Sequence, residues 1–447
     1  MSGDPPSINE TPAQPARRIF DRWDGLVAAA LGGSYLALLL GTVKNLGYAR
    51  DEGFYFYAAR TLEAWLDVLS ERGTEAFARP LVDPYFAVNH EHPVLMKGLF
   101  ALSHRYLHDR FGLFAEEGTA YRFPGMLMAV LAVVVLYLWG REIHGRVAGV
   151  VSALLFALMP RIFYHAHLAC FDVPVAAMWL TTAYVYWRSL GRGPGWAIAT
   201  GLMYGLLLDT KHNSWLLPFA LVAHLVVLRV LERLHGISRR GPLVPWSLPA
   251  LVVVGPLVFY ALWPWIWFDT LERLAEYARF HLGHEYYNME FLGETYWKPP
   301  MPRLYAWVMT LATVPLVTLA LFALGAFDSL RHALGAPDAG NPLRRALGRF
   351  APVADSAPSA PRLSADLLWV IGLLVSYAPW VSSNTPIFGG TKHWITAYPF
   401  LCLLAGHGFS LAARRLGSLF ATTIPYARHV VPATLAVVCL VGPLTMT

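Results

Sequence analysis

Acids, imidazoles and cations gather in one stretch, residues 44–122, of a chain otherwise built from apolar runs. Arg50, Asp51 and Glu52 stand near its start, Asn89-His90-Glu91-His92-Pro93-Val94-Leu95-Met96-Lys97 lies in its middle, and Arg122 closes it. Such side chains accept protons, exchange them or hold anions. Elsewhere the same types stand singly at the edges of apolar runs: Asp172, Lys211 with His212, and Lys392. A second polar and aromatic segment, 268–303, adds Glu276, Tyr277, His281, His284 and Lys298. Glu91, His92, His281 and His284 offer the oxygen and imidazole ligands that a divalent metal such as zinc takes. They come from two separate loops, so their spacing is not diagnostic; a divalent metal stays open and no cofactor is certain.

The elements that must position these groups are of membrane length. With 56% apolar and 14% charged residues and a mean hydropathy of +0.44, the composition is that of an all-α polytopic membrane protein. The net charge of +6 does not point to nucleic acid, because the arginines cluster in short loops between apolar runs, where they set orientation in the bilayer. Cys170, Cys402 and Cys439 lie in or beside apolar runs, which indicates neither a disulfide framework nor a thiolate metal site.

Apolar runs fall at 26–43, 123–140, 147–164, 171–189, 195–210, 214–231, 245–267, 304–327, 365–382, 393–412 and 425–444. Each is close to the roughly 20 residues a helix needs to cross a bilayer, so eleven spans are expected. Residues 1–24 read as a disordered cytoplasmic tail, 25–447 as the membrane domain, and 328–366 as a flexible cytoplasmic linker. Arg17, Arg18 and Arg22 place the N-terminus inside. Arg141/Arg146, Arg188/Arg192, Arg229/Arg233/Arg239/Arg240, Arg344/Arg345/Arg349 and Arg414/Arg415 then all fall inside as well. An odd number of spans puts Thr447 outside, where an outer C-terminal domain is either lacking or lost. Residues 92–108 carry Lys97, His104 and Arg105, each costly in lipid, and are expected as a helix at the outer interface rather than a span. Within 52–69, Phe56, Ala59, Leu62, Leu66 and Leu69 recur at helical spacing, a second such helix. Outer loops 44–122 and 268–303 would thus form one shelf over the bundle.

Read in order, Asp51-Glu52 after the first run, His92-Pro93-x-Leu95-x-Lys97, Arg122-Phe123-Pro124 at the second run and Asp172 at the fourth resemble glycosyltransferase family 39. That family includes dolichyl-phosphate-mannose protein mannosyltransferases and the bacterial aminoarabinose transferases of lipid A. Thr210-Lys211 and Lys392…Tyr398-Pro399 extend the similarity over nearly the whole membrane part. Val94 stands where the mannosyltransferase version commonly has a second proline, which leaves subfamily and acceptor open. The resemblance implies a GT-C fold of the eleven spans, with juxtamembrane helices in the first outer loop, in the plasma (inner) membrane. The reaction it implies is transfer of a hexosyl or pentosyl group from a polyprenyl-phosphate donor to a protein, lipid or glycan acceptor on the outer face.

A phosphate leaving group needs cations more than it needs a general acid, and Arg122, Lys211, His212, Lys392 and Lys97 are the candidates. The acceptor must lose a proton as it attacks, work for a carboxylate within hydrogen-bond reach. Asp51 is the expected general base, with Glu52 and Asp172 as the other catalytic acids. Each has a plainer explanation: acids favour a helix start, and lone lysines at span ends commonly snorkel. Trp263, Trp265 and Trp267 read as an interfacial belt. Two other classes compete. A transporter or lipid flippase should show related halves meeting at mid-membrane, and no repeat is visible. An O-antigen ligase or polymerase would use arginines of a large outer loop without an Asp-Glu pair after the first span.

Overall fold

The computed structural model describes residues 20–239, 241–335, 359–421, 424 and 426–446. Most of the expected tail, the central part of the linker with Arg344, Arg345 and Arg349, and also Arg240 and Thr447, lie outside the described residues. All eleven apolar runs are helical. They are α1 (Arg22–Thr42), α5 (Glu117–His144), α6 (Arg146–Ala157) with α7 (Pro160–Ala166), α8 (Asp172–Ser189), α9 (Pro194–Leu208), α10 (Leu217–Leu234), α11 (Ser247–Leu262), α13 (Tyr305–Thr313) with α14 (Leu316–Leu334), α15 (Ala360–Tyr377), α16 (Tyr398–Leu419) and α17 (Ala427–Met446). Among the described residues six helices are long and apolar enough to cross a membrane, or seven if the bent pair α6–α7 is one span. The protein is a multi-pass helical membrane protein.

Two runs expected as single spans are broken. α6 and α7 meet at 68°, because Pro160 lacks an N–H and disfavours a helical residue before it; Met159 is extended (ψ 121°). Pro315 acts likewise on Val314 (ψ 132°) between α13 and α14. α1 begins at Arg22, ahead of the apolar run, because Asp21 accepts hydrogen bonds from the Trp23 and Asp24 amides at 2.9 and 3.1 Å and so caps it. Residues 21–24 are thus helix cap and first turn, not tail.

α16 lies in the most enclosed of the six span-length segments and packs on α5, α6, α14 and α15. Its approach to α14 is set by glycines: a Cβ on Gly408 would fall on the Leu321 carbonyl, and one on Gly325 on the Leu404 carbonyl. Small residues at such crossings let backbones meet where lipid offers no hydrophobic drive. At the end of the bundle where α1 starts, buried Asp24 accepts from Tyr137 (3.0 Å), Arg141 (2.7 Å) and Arg146 (2.9 Å).

The opposite end carries the shelf. α2 (Arg50–Arg72), α3 (Arg79–Phe86) and α4 (Leu95–Ser103) come from the first loop, and α12 (Thr270–Leu282) from the second. α2 buries Ala59 and Leu62 and rests Phe56, Leu66 and Leu69 on the core, the face its spacing indicates. The helix expected over 92–108 starts only at Leu95 and changes at His104 into a π-helical turn, His104–Arg110. A two-stranded hairpin, Met289–Phe291 with Glu294–Tyr296, completes the second loop. The two loops are joined by a bidentate pair, Arg273 Nη1 and Nη2 to the Asp83 carboxylate at 2.7 and 2.8 Å.

Candidate active site

Two acid–lysine couples form the centre of the shelf. Asp51 lies in the first turn of α2 with its side chain 42% exposed, and Lys392, on the turn Gly390–His393, places Nζ 3.1 Å from its Oδ2. Asp172 lies in the first turn of α8, where the helix dipole favours an anion; it is buried and accepts from Lys211 Nζ at 2.6 Å. His165 Nδ1 is 3.5 Å from the other Asp172 oxygen. The couples are near enough to act on each other: burial alone would depress the Lys392 ammonium, but the Asp172 and Asp51 charges raise it above its usual value. Tyr55, one turn after Asp51, packs on Phe171 (ring centroids 4.2 Å) and His92 (5.6 Å). Burial, with the nearby Cys170, Asp51, Asp172 and Glu91, pushes its hydroxyl well above the usual tyrosine value. Tyr55, His165 and His393 belong to this centre without standing out in sequence, where each is one aromatic among many.

Glu52 and Arg122 are assigned to each other. The Glu52 carboxylate is fully buried and receives Arg122 Nε at 2.7 Å and Nη2 at 2.8 Å, together with the amides of Ala49 (2.8 Å) and Ala169 (3.0 Å). Arg122 spends its other donors on the carbonyls of Val43, Leu46 and Gly47 at 3.2, 3.1 and 2.8 Å, with Tyr48 beneath it. A guanidinium has five N–H groups, and all are engaged. The sequence expectation of a catalytic Glu52 and a phosphate-binding Arg122 therefore meets a clip: it ties the end of α1, the start of α2, α5 and the turn before α8.

Lys97 is also directed inward. Only 2% exposed, it donates to the carbonyls of Asn89 (2.6 Å) and His92 (2.7 Å), and burial pushes it down to about 7. It shapes the Asn89–His92 turn rather than facing a ligand.

His92, His212 and His281 do come together: His212 stacks on His281 at 3.8 Å between centroids, and His92 lies 5.9 Å from His281. His281 Nε2 donates to the Glu91 backbone carbonyl at 2.7 Å, while the Glu91 carboxylate accepts from Asn89 Nδ2 at 2.7 Å. Burial holds His92 well below its usual value and brings His281 down to about 4. The His92 and His212 Nδ1 atoms are buried without a protein partner. His284 stays apart, stacked on Phe388 at 4.2 Å. The four metal candidates of the sequence thus do not converge: Glu91 turns to Asn89 and His284 to Phe388.

Beside this centre, α4 packs against both α2 and α5. Between α4, its π-turn and α5 runs an apolar cavity of about 350 Å³, lined by residues including Leu99, Leu102, Tyr106, Leu107, Phe123 and Leu127. Two lysines, a buried carboxylate and a half-exposed one thus share one shelf with an apolar cavity.

Comparison with known proteins agrees with this architecture. The sequence model of the family described as dolichyl-phosphate-mannose-protein mannosyltransferase matches residues 108–260. ArnT from Cupriavidus metallidurans, solved bound to undecaprenyl phosphate, superposes with a TM-score of 0.52 at 17% identity, over 94% of this chain and 71% of that one. The Archaeoglobus fulgidus oligosaccharyltransferase AglB, in complex with an inhibitory peptide and a dolichol-phosphate, gives 0.54 at 13% identity, over 95% of this chain and 55% of that one. The chain therefore spans about half of the archaeal enzyme's length. A search of curated proteins finds no match. At these identities the superpositions show the fold, which is GT-C.

Proposed function

From a chain of GT-C fold that resembles glycosyltransferase family 39, we propose an enzyme that moves one sugar from a polyprenyl-phosphate donor to a hydroxyl or amine of a protein, lipid or glycan acceptor. The acceptor atom attacks the anomeric carbon. The bond from that carbon to the phosphate oxygen breaks, polyprenyl phosphate leaves with the electron pair, and Asp51 takes the acceptor proton. Lys392 and Lys211 hold the phosphate, whose leaving charge they stabilise more than the ground state. Asp172 keeps Lys211 aligned, and the apolar groove beside α4 receives the isoprenyl chain. The arginine-bearing loops support an orientation with the shelf on the outer face of the plasma membrane and the N-terminus in the cytoplasm.

The observation that carries this reading is the pair of couples, Asp51–Lys392 and Asp172–Lys211, drawn from distant segments to one end of the bundle. An isolated snorkelling lysine has no need of a buried carboxylate. The test is transfer from a radiolabelled polyprenyl-phosphate sugar by the purified protein. Asp51→Asn keeps the side-chain shape and removes its basicity, so turnover should fall by roughly a hundredfold or more. Undiminished transfer by that variant would remove Asp51 from the mechanism and make Asp172 the base to test.

A further inference from the structure

Outside the centre described above, the π-helical turn His104–Arg110 gathers a second set of polar groups with no part in sugar transfer. Its wider winding puts residues four and five apart on one face, and such turns concentrate at functional sites. One ligand atom each from His104, His108 and Asp109 lies within 4.8 Å of the others. Glu63 of α2 joins them, its carboxylate 3.1 Å from His104 Nδ1, which is also 3.5 Å from Asp109 Oδ2.

We propose that His104, His108, Asp109 and Glu63 form a zinc-type divalent cation site that fastens α2 to the α4–π-turn segment. Three observations support it. First, with metal–ligand bonds of about 2.0–2.1 Å, neighbouring ligand atoms around a tetrahedral zinc stand about 3.3 Å apart; the 3.1 and 3.5 Å separations at His104 bracket that value. Second, the rings are already oriented. His108 Nδ1 donates to the Phe114 carbonyl at 2.8 Å, which leaves the Nε2 lone pair facing Asp109 Oδ1 at 3.9 Å. A backbone carbonyl on the far nitrogen is the usual support of a metal-binding histidine. His104 is held by the Tyr121 ring, parallel to it at 4.3 Å.

Third, among the described residues no arginine forms an ion pair with either carboxylate. The two nearby arginines are committed elsewhere, Arg60 to Glu117 and Arg105 to Asp67. Glu63 accepts the Tyr121 hydroxyl at 3.4 Å and, like Asp109, faces His104, and two carboxylates with two neutral imidazoles suit a dication. Asp109 is exposed, so the ion enters from solvent and the 3.9 Å gap closes by rotation of that side chain. This set is separate from Glu91, His92 and His281, and its test does not depend on transfer activity.

The full-length protein, stripped with a chelator and dialysed, is titrated with Zn²⁺ alone and its bound metal counted by mass spectrometry. The wild type should bind one more zinc than the double variant His108→Gln/Asp109→Asn, and Glu63→Gln should weaken that site roughly ten- to a hundredfold. Equal stoichiometry and affinity in wild type and double variant would overturn the site. Should the double variant not fold, Co²⁺ titration of the wild type decides. A four-coordinate visible spectrum that Zn²⁺ displaces and that weakens in Asp109→Asn supports the site; no such spectrum, or one that Asp109→Asn leaves unchanged, refutes it.

Discussion

Glu52 and Asp51 are adjacent in sequence, yet the structure sets them in opposite surroundings, and exchanging each in turn separates the two. Glu52→Ala leaves the Arg122 guanidinium buried with two carboxylate bonds missing and strips the Ala49 and Ala169 amides of their acceptor. Removing one partner of such a buried pair costs about 3–5 kcal/mol. With an unfolding entropy of roughly 2.1 cal/mol/K per residue, a chain of 447 residues should lose about 3–5 °C of its midpoint. Asp51→Asn disrupts only a partly exposed pair with Lys392, a contribution of about 0–1 kcal/mol, so its midpoint should stay within about 1 °C of the wild type. The buried free thiols Cys170, Cys402 and Cys439 report unfolding through a thiol-reactive dye at one fixed heating rate. An unchanged midpoint in Glu52→Ala, or an equal loss in both variants, would refute this division of roles.

Lys211→Ala and Lys392→Ala should each raise the KM for the lipid-phosphate donor roughly ten- to a hundredfold, the loss of a charge-assisted contact of about 1.5–3 kcal/mol; unchanged donor kinetics in both would return them to span-end lysines. The Asp83–Arg273 junction should depend on pH: its hydrogen bonds to Arg273 hold the Asp83 carboxyl below its ordinary value. The stability it gives is thus present above the unfolded value of about 3.9 and lost as pH falls through the folded one. Between about pH 6 and about pH 3 the thermal midpoint should therefore fall less in Asp83→Asn than in wild type, and parallel curves would exclude the junction as a source of acid sensitivity. Single cysteines at exposed Thr74 and Asn288 should react with an impermeant thiol reagent from outside, and one at Gly193 should not; labelling at Gly193 alone would invert the proposed orientation.

The helices were legible because lipid-length apolar runs need only composition, and the amphipathic face of α2 because its period is local. Where the fold departs, the reason is also local: Pro160 and Pro315 break helices inside runs whose hydropathy continues across them. The candidate site was legible in residue types and not in partners. Asp51 reaches Lys392 and Glu52 reaches Arg122 across 341 and 70 positions, and no spacing rule says which acid takes which cation. Burial decides it: Glu52 faces into the bundle and closes on the guanidinium, while Asp51, one residue earlier, points toward the open side. His104 and Arg105 read in sequence only as charges that keep 92–108 out of lipid, since the π-turn that sets His104 beside His108 and Asp109 leaves no periodic trace.

On the proposed mechanism Asp51 and Lys392 cannot act independently. At 3.1 Å the ammonium and the carboxylate are engaged with each other as an ion pair. A donor phosphate that draws Lys392 to itself releases Asp51 from that partner as the acceptor is needed, which couples the availability of the carboxylate to the presence of donor. Two groups acting as one unit show losses far from additive. Once Asp51→Asn has removed the base, Lys392→Met should cost little further turnover at saturating donor, although each single exchange alone is slow. If instead the two losses multiply, the residues contribute separately and the ammonium does no more than hold the phosphate. Purified single and double variants assayed at saturating donor distinguish the two, with binding of the polyprenyl phosphate measured in parallel to confirm that the site is filled.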